Sequence, residues 1–157
     1  MVGKKRKPSE LVVDTEKENA RNRPEVIVEF LFDRGLLFIS VRNIGARPAN
    51  RIAVKFDKRI SGLGGTQDIS ALALFRNIEF LGPAREIVTL LDTSGSYFQR
   101  EQPAKLTARI SYFDDDKRRY ETTIKHDLEI YRDLSYAVSP TTNKNKSSFV
   151  SKDLEAR

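Results

Sequence analysis

Cysteine is absent from this chain, so disulfide scaffolds, thiolate-bound zinc, iron–sulfur clusters and thiol nucleophiles are excluded. A single histidine, His126, excludes a multi-histidine metal site within one chain. Long apolar runs are also missing. Stretches such as Val26-Ile27-Val28 and Leu36-Leu37-Phe38-Ile39 fall far below the ~20 apolar residues of a spanning helix. No secretory leader is recognisable: Lys4-Lys5-Arg6-Lys7 runs into Pro8-Ser9-Glu10 rather than an apolar stretch. Val2 stands where a myristoylation signal needs glycine. The expected location is the cytoplasm.

What is present is enough for one core. The 157 residues are 39% hydrophobic and 32% charged. That supports one domain at the usual ~150 residues each, and it is unlike a disordered composition.

The net charge of +6 is unevenly spread. Residues 1–23 hold seven basic and four acidic side chains, and residues 134–157 hold four and two. The middle, 24–133, is almost balanced, with 17 basic and 16 acidic residues. A nucleic-acid reader concentrates cations on a folded face, and the balance of the middle argues against that.

The texture of the chain changes twice. Residues 1–23 read as a basic flexible arm in which Pro8-Ser9-Glu10 opens at most a frayed helix. From Pro24 onward, period-two alternation dominates. Val26, Val28, Phe30 and Phe32 share one face, and Leu37, Ile39 and Val41 share one face of the next run. Asp33-Arg34-Gly35 joins these two as a hairpin. Ile52, Val54 and Phe56 alternate with Ala53, Lys55 and Asp57. Residues 58–68 read as a loop, and 69–76 fit either a strand or one helical turn.

Asn77–Leu81 and Arg85–Leu91 read as strands, and Asp92–Ser96 reads as a turn. Leu106, Ala108, Ile110 and Tyr112 face Tyr120, Thr122, Ile124 and His126 across a polar turn at Asp114-Asp115-Asp116, which makes the clearest hairpin. After Asp133 a polar tail follows, 134–157, read as disordered. Phe149, Val150 and Leu154 within it offer a thin docking motif against the plainer expectation of an inert end.

About seven short strands over roughly 110 residues, with no long amphipathic helix, predict an all-β chain. The expected fold is an immunoglobulin-like antiparallel β-sandwich spanning 24–133.

Turn signals sharpen this expectation. The runs Val41-Arg42-Asn43-Ile44-Gly45 and Pro48-Ala49-Asn50-Arg51-Ile52 resemble those of bacterial immunoglobulin-like, adhesion-related modules of the CARDB type. So do Phe80-Leu81-Gly82-Pro83 and Ile110-Ser111-Tyr112-Phe113-Asp114. Gly82-Pro83-Ala84 replaces the usual Pro-Gly turn of that family. The resemblance covers about 24–131 and implies a bacterial β-sandwich, while its motifs say little of function.

Candidate chemistry is thin. Asp92-Thr93-Ser94-Gly95 is similar to the catalytic loop of retroviral-type aspartic proteases, but Ser94 interrupts the triplet, and a hairpin turn is expected. Asp114–Asp116 lacks the spacing of a calcium loop and reads as a solvated turn. Gly62-Leu63-Gly64-Gly65 lacks the Gly-Lys-Ser/Thr ending of a phosphate loop and reads as a flexible connection. His126 and Asp127 are strand neighbours on opposite faces, so they form no base–orienter pair.

The one basic cluster is Lys4, Lys5, Arg6 and Lys7, which could bind anions at about 1 kcal/mol per cation near an anionic surface. A solvated arm is the plainer reading. The expectation is a non-enzymatic β-sandwich module that binds another protein. It needs no cofactor, metal or small-molecule substrate. The alternative is electrostatic binding of nucleic acid or anionic membrane through the basic tails.

Overall fold

A computed structural model describes residues 8–134, with side chains described from residue 15 onward. The calls on Lys4–Lys7 and on the tail beyond residue 134 lie outside the described residues.

Alternation builds two antiparallel sheets. The first pairs β1 (Val26–Asp33) with β2 (Leu36–Asn43), and β2 with β7 (Glu86–Thr93). The second has the order β6 (Ile78–Leu81), β3 (Ala49–Phe56), β8 (Lys105–Phe113), β9 (Arg119–Asp127). A small hairpin, β4 (Ser61–Gly62) with β5 (Gln67–Asp68), stands apart. The architecture is the expected immunoglobulin-like sandwich. The short strand β6 pairs beside β3 instead of extending the sheet of the first strand.

The inner faces carry the apolar alternation. Val26, Val28, Leu37, Ile39 and Val41 of the first sheet are at most 1% exposed. Ile52, Val54, Leu106, Ala108, Ile110 and Tyr112 answer from the second. The β1–β2 turn is two residues, Arg34-Gly35, both at positive φ (48° and 80°). That is the geometry whose twist matches a hairpin.

Several local expectations change. Residues 8–21 form a helix, α1 (Pro8–Arg21), where a frayed segment was expected. Its described side chains, 15–21, are all exposed. Arg23, assigned to the arm, is tied to the sandwich: its carbonyl accepts the Ala46 N–H at 3.0 Å, and its guanidinium lies over Tyr120. The ambiguous 69–76 resolves into a 3₁₀ turn, Ile69–Ala71, and a helical turn, α2 (Ala73–Arg76). Phe75 of α2 is 1% exposed and meets Phe56 edge-on at 5.1 Å, closing that end of the core.

Asp92–Ser96 is not a turn. Asp92 and Thr93 end β7, and a short helix, α3 (Ser94–Gln99), follows, capped by the Thr93 hydroxyl accepting the Ser96 N–H. The strand after Arg119 stops at Asp127, so Ile130 swings out to 66% exposure while Leu128 stays buried.

Asn43 explains the Val-Arg-Asn-Ile-Gly run. It is fully buried, and its amide satisfies four backbone groups. Its Oδ1 accepts the N–H groups of Glu25 (3.2 Å) and Gly45 (3.0 Å), and its Nδ2 donates to the carbonyls of Arg47 (2.8 Å) and Leu81 (3.1 Å). Gly45 is required for close approach, because a Cβ there would collide with the Arg23 carbonyl and the Glu25 nitrogen.

Candidate functional site

Lys4, Lys5, Arg6 and Lys7 lie outside the described residues, and Asp92 and Asp114, singled out in the sequence, have structural roles. Asp92 is 4% exposed and forms an ion pair with Arg100, whose guanidinium also reaches the Ser61 carbonyl at 3.1 Å. Its carboxylate further accepts the N–H groups of Gly64 (3.3 Å) and Thr93 (2.8 Å). A bulge opposite Leu37 and Phe38 causes this burial, turning both Leu91 and Asp92 inward. The Gly62–Gly65 segment is therefore a held turn rather than a loose connection. Gly62 packs so closely on the Leu91 carbonyl that a Cβ there would collide with it.

The three aspartates of the β8–β9 loop diverge. The Asp114 carboxylate accepts the N–H groups of Asp116 and Arg118, both at 2.9 Å, and the Tyr120 hydroxyl at 2.8 Å. Burial acts to raise its pKa, but these donors outweigh burial and hold it below the ordinary carboxylate value. Asp115 turns to Asn50 and Arg47 instead. Among the described residues no three His, Asp or Glu side chains are grouped to hold a metal ion.

His126 is half-buried, with its ring edge-on to Phe30 at 4.9 Å and its Nε2 without a hydrogen-bond partner among the described residues. Burial lowers its pKa below the usual value, against a smaller opposing pull from Glu29.

The remaining candidate is a surface. Pairing sorts the outward residues of the first sheet into rows across β1, β2 and β7. One row is Ile27, Arg42, Glu86, and the next is Glu29, Ser40, Val88. The third is Leu31, Phe38, Leu90, apolar on all three strands. Leu31 is 37%, Leu90 38% and Val88 46% exposed. Beside them, the fully buried Ser40 hydroxyl donates to the exposed Glu86 at 3.0 Å, and the Glu86 carboxylate supplies a polar margin. Among the described residues Leu31 and Leu90 stay exposed and Phe38 between them is half-buried. Contiguous exposed apolar residues with a polar rim are characteristic of recognition surfaces.

A family profile described as a domain of unknown function, DUF8453, matches residues 5–132. The chain belongs to this family. The DUF8453 match takes in α1 and all nine strands of the described residues. No curated protein and no solved structure matches the chain. Among the described residues, no helix is long and apolar enough to cross a membrane.

The sequence reading missed Leu31, Phe38, Val88 and Leu90 as a group. The usable signal was their position: each is a large apolar side chain where the alternation assigns the wet face.

Proposed function

We propose that this DUF8453 chain is a non-enzymatic interaction module that binds another protein through the outer face of its β1–β2–β7 sheet. The observation that carries this reading is the outward apolar row Leu31, Phe38 and Leu90, with Val88 beside it, which no other described residue buries fully. Such a row lowers solubility and does nothing for the core, so a partner that covers it accounts for it best. The use of Asp92 as a buried structural anion supports the absence of protease chemistry at that loop.

The test is a photo-crosslinking residue introduced at Val88 in the full chain, compared with one at Thr123 on the opposite face. A protein partner crosslinks from Val88 and not from Thr123. The crosslink is lost in Leu31→Glu and Leu90→Glu, while the melting curve is kept. Equal crosslinking from both faces, or a crosslink that survives both substitutions, removes this reading. A crosslink only to a second copy of the chain makes the face a self-association surface instead.

A further inference from the structure

The near neutrality of residues 24–133 hides a strongly positive surface. Three adjoining depressions, of about 480, 250 and 380 Å3, run along the outer side of β3, β8 and β9, and all three share Asp57. Seven basic and two acidic residues line them, although the folded middle as a whole carries only +1.

The register makes the crowding explicit. Lys55 on β3 stands directly opposite Arg109 on β8, and Thr123 on β9 completes that row. Thr107 stands opposite Lys125 one row away. Like charges directly opposite on a sheet are destabilising, so this arrangement works against the fold. Lys55 and Lys125 form no ion pair among the described residues, and Arg109 has only a 3.8 Å approach to Glu121. The Asp57 carboxylate is engaged, accepting the Thr107 N–H at 2.8 Å. Arg76 of α2 extends the cationic surface past β3.

We infer that this face binds the phosphate backbone of a nucleic-acid duplex without reading its sequence. The cations do not converge on one point. Lys105 to Arg109 alone spans about 13 Å along β8, and β3 to β9 adds roughly 10 Å across, which suits a line of phosphates rather than one small anion. The hydroxyls of Thr107 and Thr123 between the cations suit phosphate oxygens. None of the exposed large hydrophobic residues lies among the lining residues, and the half-buried Phe56 that lines two of the depressions is packed edge-on against Phe30 and Phe75, so the lining favours phosphates over a bilayer or unpaired bases. This inference is independent of the apolar face of the other sheet.

The test is fluorescence anisotropy of the full chain with two duplexes of unrelated sequence. The two should bind equally. Neutralising about four phosphates should weaken binding roughly 100-fold between 50 and 200 mM salt. Lys55→Glu and Lys125→Glu should each weaken it about 10-fold and lower the salt slope by about one. Lys55→Glu also turns a repulsive pair into an attractive one, so its Tm should hold or rise by about 1–4 °C. Arg42→Glu, on the other sheet, should bind as the parent does.

Unchanged affinity in both Lys55→Glu and Lys125→Glu overturns the inference. So does loss of binding on replacing Lys4–Lys7 with alanine alone, which moves the interaction to the arm. Tighter binding to polyglutamate or to anionic vesicles than to the duplex likewise overturns it, by assigning the face to an acidic protein or a membrane.

Discussion

The two sheets turn matching apolar alternation toward one core, yet their outer faces have opposite chemistry. On the β1–β2–β7 sheet the outward row is Leu31, Phe38, Leu90. On the other sheet the outward row is Lys55, Arg109, Thr123. Folding requires neither. Exposed leucines weaken solubility, and opposed cations weaken the ladder. The inward residues report what the fold needs, and the outward ones are what the two proposals turn on. A chain this small can therefore carry two unlike surfaces on a single core.

The comparison breaks first if the core is disturbed, because both faces share it. Ile110 is fully buried, so Ile110→Ala should cost about 2–5 kcal/mol through lost burial and a cavity. A melt should read this directly, and both faces should weaken together.

Asp92→Ala should cost about 2–4 kcal/mol, because it leaves the Gly64 N–H without its acceptor and Arg100 with the oxygens of Ser61 and Ser96 but no counter-charge. The lower end applies because Arg100 is 24% exposed. Its damage should centre on the first sheet, read as faster amide exchange in β7 and the Ser61–Gly65 turn than in β8 and β9.

Acid should act between the sheets, where His126 meets Phe30. The folded pKa of His126 lies below its unfolded value of 6.5, so the folded state binds fewer protons just under that pH. Stability is then full above pH 6.5 and declines as pH falls through the folded value. His126→Phe should flatten this part of the pH–Tm profile, and an unchanged profile would place the sensitivity elsewhere.

The smallest effects belong to the faces. Lys125→Ala and Leu90→Ser should each stay within about 0.5 kcal/mol in a melt while changing binding to different ligands. A large stability loss from either would mean that its face is part of the fold after all.

Much of the architecture was legible because alternation is local. Val26–Phe32, Leu37–Val41 and Leu106–Tyr112 each announce a half-buried strand within a few residues. The failures lie where local pattern is overruled. One inserted residue in β7 buried Asp92 and hid its pairing with Arg100. The Thr93 cap of α3 was readable as a helix start but was masked by its likeness to a turn. Neither outer face could be read from segment charge, because Lys55 and Arg109 meet only through the pairing of β3 with β8. The Lys4–Lys7 cluster, prominent in sequence, lies outside the described residues.

Asn43 also bears on how the sandwich assembles. Its side chain joins Glu25 before the first strand, Arg47 in the turn before β3, and Leu81 at the end of β6. The β1–β2 hairpin alone can satisfy only part of that amide. Arg47 lies close by in sequence, and the last bond waits for Leu81, 38 residues further along. A half-assembled chain thus holds an amide with unmet valence, and closing that long loop comes before the reward. Asn43 acts as a checkpoint on sheet docking. It favours an all-or-none transition, with a rate set by long-range closure rather than by the quick local hairpins.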